Sequence, residues 1–293
     1  MTTEQIGERI VVVAGATGYL GKHVVRALHR DGWRVRALAR NPDRLGDVRD
    51  LCDEVVTAEA TKRETLADLF DNAHGVFSSI GIRSFKRQPT FEAVDYQANI
   101  NLLEGAEAAG VKRFVFVSVL GGDVHRGLSP LLDARERVVD RLKASQMEAV
   151  VLRPTGFFND MGDIFEMAKR GRVWLIGSGE TKINPIHGAD LADVAAQAFL
   201  NPHAQPELPA GGPDVFTQRE IAELVFGILQ KPPRIGRVSP GFIRLIAGMI
   251  RPFNKNAAAL ALMFSLLGDT DGVAPRYGSH RLADHFTRLA KAG

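Results

Sequence analysis

The stretch Val11-Val12-Val13-Ala14-Gly15-Ala16-Thr17-Gly18-Tyr19-Leu20-Gly21 constrains this chain most, because an apolar run there ends in three spaced glycines and opens a helix. The β-branched run reads as a buried strand. Val24-Val25-x-x-Leu28 carries the helical period and stops at Asp31-Gly32 before a second strand over 34–39. The first glycine permits a tight turn, and the second lets backbone N–H groups approach a pyrophosphate. The third lets helix and strand pack closely, with the helix's positive end on the anion. The pattern therefore predicts a nicotinamide dinucleotide held along Gly15, Thr17, Gly18, Tyr19, Leu20 and Gly21, against the alternative of a glycine-rich turn with no ligand.

An acid at the end of the second strand would accept hydrogen bonds from the ribose 2′-hydroxyl and repel a 2′-phosphate. The place falls at Ala39-Arg40-Asn41, with no acid. Arg40 is suited to a planar, charge-assisted pair with a phosphate and to stacking on adenine, which points to NADPH. Arg34, Arg36 and Arg44 nearby keep open the reading that Arg40 is one of several solvated arginines. Glu59, after the third strand, is placed to meet the adenine amine, and a surface turn explains it equally well.

Further along, strand and helix signals alternate, as in a parallel sheet covered on both faces. Thr61-x-x-Glu64 reads as a capping box before Leu66–Phe70, and 75–81 as a buried strand ending in a glycine turn. Residues 93–109 read as a long amphipathic helix, 112–118 as a strand, 135–144 as a helix and 149–154 as another strand. Ligands of open parallel sheets sit beyond the carboxyl ends of the strands. That rule brings the turns at Gly15, Ser78, Ser118 and Pro154 around the cofactor, together with Ser79, Ile80, Thr155 and Phe157.

Composition agrees with a globular protein. Of 293 residues, 45% are hydrophobic, enough for one large domain or a domain with a smaller lobe. A net charge of +3 and no basic run with interleaved aromatics argue against a nucleic-acid partner. The single cysteine, Cys52, forms no internal disulfide, and Met1-Thr2-Thr3-Glu4-Gln5 lacks the regions of a secretion signal, so a reducing cytoplasm is expected. The eight histidines show no ligand spacing, so no metal is expected.

Gly15-Ala-Thr-Gly-Tyr-Leu-Gly21, Ala93-Val-Asp-Tyr-Gln-Ala-Asn-Ile-Asn-Leu-Leu103, Gly110-Val-Lys-Arg-Phe-Val-Phe-Val-Ser118 and Leu152-Arg-Pro-Thr-Gly156 resemble atypical, extended short-chain dehydrogenase/reductases of the NmrA-like type. Asn184-Pro-Ile-His-Gly-Ala-Asp-Leu-Ala192 and Gly212-Pro-Asp-Val-Phe-Thr-Gln-Arg-Glu220 resemble that group's C-terminal portion, the latter with a second capping box, Thr217-x-x-Glu220. The resemblance implies an α/β fold: a Rossmann doubly wound parallel sheet over 1–155, and a smaller, mainly helical substrate lobe over 156–293. That lobe is expected to hold a returning core strand at about 182–200 and a helical lid at about 240–268.

Carbonyl-reducing members of this superfamily typically use a Tyr-x-x-x-Lys helix, whose lysine lowers the phenol pKa, and a serine near the fifth strand. Here Leu131 falls at the tyrosine, Arg135 at the lysine and Leu120 at the serine. Arg135 retains the capacity to hydrogen-bond the nicotinamide ribose, but a guanidinium relays no proton. Two functions remain. One is a ketoreductase whose proton comes from water or from a phenol of the substrate beside the carbonyl, with binding geometry carrying much of the rate. The other is a non-catalytic NADP(H)-binding redox sensor, as in fungal members resembling this family.

Two apolar pieces, 241–252 and 257–267, flank Phe253-Asn254-Lys255-Asn256, and neither is long enough to span a bilayer. They suit a mobile lid over a large apolar ligand; core packing, a dimer face and, less favoured, attachment to a membrane surface are the alternatives. The combination resembles ketoreductases that tailor polycyclic aromatic polyketides such as simocyclinone, antibiotic-pathway enzymes whose substrates carry phenols beside the reactive carbonyl. Leu120, His125, Leu131 and Phe158 are the expected substrate contacts, with Phe157-Phe158 as pocket floor. His125 also reads as a solvated loop residue, Asp133 as pointing away from Leu131, and His187 and Asp190 as anchors between strand and helix. Arg83 and Lys86 would border the nicotinamide side.

Overall fold

In a computed structural model, residues 9–82, 85–201 and 203–292 are described. Val11 and Val13 are buried on one side of the first strand, β1 (Ile10–Ala14), and Val12 and Ala14 on the other. A strand apolar on both faces needs helices on both, and the chain supplies them. Seven parallel strands follow the order β3-β2-β1-β4-β5-β6-β9, with β2 (Arg34–Ala39), β3 (Glu54–Thr57), β4 (Ala73–Ser78), β5 (Arg113–Val117), β6 (Glu148–Pro154) and β9 (Glu207–Ala210). Helices α1 (Tyr19–Arg30) and α5 (Gly188–Leu200) cover one face; α2 (Ala98–Ala108) and α3 (Pro130–Lys143) cover the other. Strand order reverses between β1 and β4, which opens the crevice beyond their carboxyl ends.

A second core lies in the C-terminal lobe, where α4 (Phe158–Lys169), β7 (Val173–Ile176), α6 (Gln218–Ile228) and α9 (Leu282–Ala292) bury Phe158, Phe165, Ile221, Phe226 and Phe286 together. β7 pairs with β11 (Ile235–Val238), and β8 (Lys182–Ile183) with β10 (Phe216–Thr217). The predicted capping box before α6 is present: Thr217 Oγ1 accepts from the Glu220 amide at 3.1 Å, and Glu220 accepts from the Thr217 amide at 2.7 Å. Helix α7 (Pro240–Ile250) packs along α8 (Lys255–Ser265), and α8 packs against α3.

Three expectations are corrected. The strand returning to the main sheet is β9, not 182–200. The alanine-rich stretch after Gly188 follows the helical period and becomes α5, whereas Pro209 sits on an edge strand, where a missing N–H is tolerated. The capping box at Thr61 does not form, because Lys62 precedes the short 3₁₀ turn Arg63–Leu66 and Thr65 supplies the local bonds, donating to the Glu59 carbonyl at 3.0 Å and accepting from the Glu59 amide at 3.1 Å. The helix expected over 93–109 is entered through a π-helical turn, Glu92–Gln97, and is buried around most of its girth rather than along one stripe.

Candidate active site

The loop after β1 is shaped by its glycines. Gly15 has φ +92°, a conformation only glycine adopts without strain, and a methyl group there would lie 2.7 Å from Ser79 Oγ. Gly21 packs so closely under the Gly15 carbonyl that any Cβ would overlap it. The Ser79 amide bonds the Ala14 carbonyl at 3.1 Å, fixing the β4 loop against the glycine loop. Helix α1 starts at Tyr19 with Gly18 as N-cap; no side chain caps it and no acid lies in its first turn. Its amino end thus presents backbone N–H groups and the positive end of the helix dipole to the crevice, the arrangement a pyrophosphate requires. Thr17 and Tyr19 are half-buried on this loop and Leu20 is buried beneath it. Tyr19 also has a structural duty, since its hydroxyl accepts from the Gly188 amide at 3.0 Å and so fastens α5 to the glycine loop.

Arg40 and Glu59 meet at the rim, where the adjacent strands β2 and β3 end: Arg40 Nη1 stands 3.9 Å from Glu59 Oε1, with the arginine side chain 68% exposed. The cation is therefore held at the mouth, open to an incoming phosphate. The turns after β4 and β5 are more committed. Ser78 is fully buried and donates to Asn99 Oδ1 at 2.6 Å, and Ser118 donates to Glu136 Oε1 at 2.8 Å. Both hydroxyl protons are thus spent on partners from other elements, and Ser78 Oγ also accepts from the Ile80 amide at 3.3 Å. Glu136 is itself held by Arg153, at 2.7 and 2.9 Å, in a network that ties α3 to β6 and extends to Glu207 on β9. Leu120 donates its amide to the Pro154 carbonyl at 3.1 Å, and Thr155 donates its hydroxyl to the Asn184 carbonyl at 2.6 Å. Those bonds hold the β5 and β6 turns together with Phe157 at the crevice edge.

Leu131 and Arg135 lie on the first two turns of α3, and Leu120 in the turn after β5. Arg135 donates to the Val117 carbonyl at 2.7 Å and pairs with Asp95 at 2.8 Å. Asp95 comes from the π-helical turn, is fully buried, and accepts a second bond from the Ile82 amide at 3.1 Å. Burial pushes its carboxyl up to about 6, against the pull of Arg135. Only Gly81, which has no side chain, fits above the pair. Sequence reasoning overlooked Asp95, although its place three residues before the buried Ala98-Asn99 face, in a segment otherwise apolar or amide, signals an acid that needs a partner.

Leu131 and Phe158 are corrections. Leu131 is 6% exposed and packs with Phe91 and Ala134 against Ala259 and Leu260 of α8, so it forms a seat for that helix rather than an open pocket wall. Ser129, the N-cap of α3, reinforces the seat by donating to the Ala259 carbonyl at 2.9 Å. Phe158 is 2% exposed inside the lobe core, beside His187 and His285. His125 is half-buried in the loop beyond β5, next to Gly121, and Asp133 closes that loop by accepting from the Gly127 amide at 2.7 Å. His187 caps α5 through Nδ1, and Asp190 accepts from the His280 amide and ring, so both act as anchors. Lys86 is exposed on a segment tied to α8 through Asn256, and Arg83 lies outside the described residues. Histidines 23, 187, 280 and 285 gather behind Tyr19, yet among the described residues no group of three or more potential ligands is arranged to hold a metal.

Residues 15–202 match the NAD(P)H-binding family. A ceramide reductase of Caulobacter vibrioides is 30% identical over 250 residues, covering 83% of this chain and 77% of that protein. The chloroplastic divinyl chlorophyllide a 8-vinyl-reductase of Zea mays is 28% identical over 326 residues, covering 98% of this chain and 80% of the other. Among solved structures, the NADPH-dependent quinone oxidoreductase of Escherichia coli complexed with NADPH has a TM-score of 0.71 at 19% identity, covering 96% of this chain and 99% of that one. The triphenylmethane reductase of Citrobacter sp. complexed with NADP(H) has a TM-score of 0.72 at 16% identity, covering 96% and 99%. The structural likenesses speak to the fold, and the sequence matches to descent. The chain belongs to the NAD(P)H-binding family of atypical, NmrA-like short-chain dehydrogenase/reductases.

Proposed function

We propose that this protein is an NADPH-dependent reductase of a carbonyl on a large apolar substrate, with residues 1–155 holding the cofactor and 156–293 forming the substrate lobe. The observation that supports the reading is a glycine loop shaped for close approach of a pyrophosphate, set beside Leu120, a buried Leu131 and an anchored Arg135. When bound, NADPH supplies a hydride from its nicotinamide ring. The free first-turn amides of Tyr19 to Gly21 would hold the pyrophosphate, the Gly18 amide being spent on the Gly15 carbonyl at 2.9 Å, and Arg40 would meet the 2′-phosphate. Arg135, fixed by Asp95 and Val117, is in reach of the ribose end of the crevice. No side chain at the Leu120 or Leu131 position carries a proton, so the proton that completes the alcohol comes from the substrate or from water. A polycyclic aromatic ketone with a neighbouring phenol supplies it internally. Relatives named for ceramide and a chlorophyllide support the same reading on size and apolarity.

The test uses purified protein, NADPH deuterated at C4 as each diastereomer in turn, and polycyclic ketones with and without a neighbouring phenol, read by mass spectrometry. Label from one diastereomer, transferred to the phenol-bearing ketones, is the expected result. Equal transfer to both ketone classes would assign the proton to water. The second reading, a redox sensor that binds NADP(H) without turnover, is favoured by the buried Leu131; absence of transfer beside tight NADPH binding would select it. Arg40→Ala should weaken NADPH by about tenfold while leaving NADH unchanged.

A further inference from the structure

Helix α7 turns its apolar side outward. Phe242 is 55% exposed, Leu245 61% and Met249 60%, and their spacing of three and four residues aligns them on one face. Phe253, just past the helix end, is 70% exposed, and Phe85 is 60% exposed on a separate segment brought beside it by Asn254, whose Nδ2 donates to the Phe85 carbonyl at 2.7 Å. Ala247, on the opposite side, is buried in the packing of α7 on α8. The ridge is therefore stiffly mounted, since its supporting helix is seated on Leu131 and Ala134.

Charge around the ridge is mainly basic. From Leu224 to Gly268 the chain carries Lys231, Arg234, Arg237, Arg244, Arg251 and Lys255 and no Asp or Glu, and of these Arg244 is paired with Asp269 just beyond that span. Arg251 and Lys255 are exposed beside Phe253, and Arg87 is exposed beyond Phe85. A symmetric contact between two copies through this ridge would bring Arg251 and Lys255 of both chains together, with Asp269 already engaged by Arg244. An anionic bilayer offers both an apolar layer for the aromatic and aliphatic tips and acidic headgroups for the cations, whose long stems reach past the apolar side chains. With 11 residues, α7 is about 17 Å long, and no helix among the described residues is long and apolar enough to cross a membrane. Lying in the interface is the arrangement left to it.

We propose that the α7 ridge, with Phe253 and Phe85, docks the protein on the surface of a membrane rich in anionic lipid, a property separate from the reductase reading and independent of turnover. The full chain should sediment with phosphatidylcholine vesicles containing about one-third phosphatidylglycerol and much less with pure phosphatidylcholine, and added salt should weaken it. The triple variant Phe242→Ser, Leu245→Ser, Met249→Ser should bind those vesicles at least about tenfold more weakly, with NADPH affinity and melting temperature unchanged because the three side chains are already exposed. Arg251→Gln and Lys255→Gln should each cost about fivefold. Failure of the wild-type chain to bind anionic vesicles, or equal binding by the triple variant, would overturn the proposal. A wild-type dimer in light scattering that the triple variant converts to monomer, without vesicle binding by either, would reassign the ridge to a second copy of the chain.

Discussion

At the glycine loop the backbone sets the geometry, whereas at the α3–α8 seat side-chain packing does. The first region is built from close approaches, Gly21 under the Gly15 carbonyl and Gly15 beside Ser79, which leave no room for any other residue. The second has leucine in the expected tyrosine position and fills the space with Phe91, Ala259 and Leu260. Both are tight, but one is tight in its backbone, where a ligand could come close, and the other in its side chains, where helix α8 fills the space. The contrast teaches that, on the proposed function, cofactor binding and proton transfer would be separable. On the proposed reading the cradle is kept and the relay is not, and Arg135 is held between them by Asp95 and the Val117 carbonyl.

Gly21→Ala should break the first region outright. The methyl group would overlap backbone rather than a flexible side chain, so helix α1 must shift from β1. NADPH affinity is expected to fall by more than about a hundredfold, equivalent to about 3 kcal/mol, in a fluorescence titration. A loss under threefold would mean that the loop is not a phosphate cradle.

The second region should respond in stability before affinity. Leu131→Ala opens a cavity between α3 and α8 and should cost about 2–3 kcal/mol in urea unfolding, while NADPH affinity stays within about threefold. Restoring the family residues with Leu131→Tyr and Arg135→Lys should not raise the rate of ketone reduction. A large gain would show that a protein-borne proton was limiting.

How much was legible in the sequence follows the same division. The glycine loop, the order of strands and helices up to β6, and the capping box at Thr217 are local constraints, in which a residue's neighbours in the chain decide its conformation. The box at Thr61 misled because the same residue types also support an alternative local solution, in which Thr65 bonds back to Glu59. β9 was missed because edge pairing is long-range and its two prolines, Pro206 before it and Pro209 within it, read as breakers. Leu131 was recognised as a missing tyrosine, but its burial depends on α8, more than a hundred residues away in the chain. The side-chain bonds of Ser78 and Ser118 were not legible, because their partners, Asn99 and Glu136, come from other elements.

The smallest effect expected, in pH dependence, sharpens the comparison, because the two regions should answer acid with opposite signs. Behind the glycine loop, burial, assisted by His280 and His23, pushes His187 from its ordinary 6.5 down to about 4. Between those values the unfolded chain binds the proton that the folded chain refuses, so this group's stabilisation is present above pH 6.5 and is lost as pH falls toward 4. At the α3 border Asp95 goes the other way, from 3.8 up to about 6. Here the folded chain holds the proton more tightly, so its contribution is present below about pH 4 and is lost as pH rises through 6. His187→Asn keeps an acceptor at the N-cap of α5 and should therefore lose less melting temperature than wild type between pH 7 and pH 5, by on the order of 1 °C after screening at a half-exposed site. Asp95→Asn should lose more than wild type over the same interval. If both variants move in the same direction, the two regions do not titrate as separate units, and the cradle and the α3–α8 seat are coupled through β1 and β4.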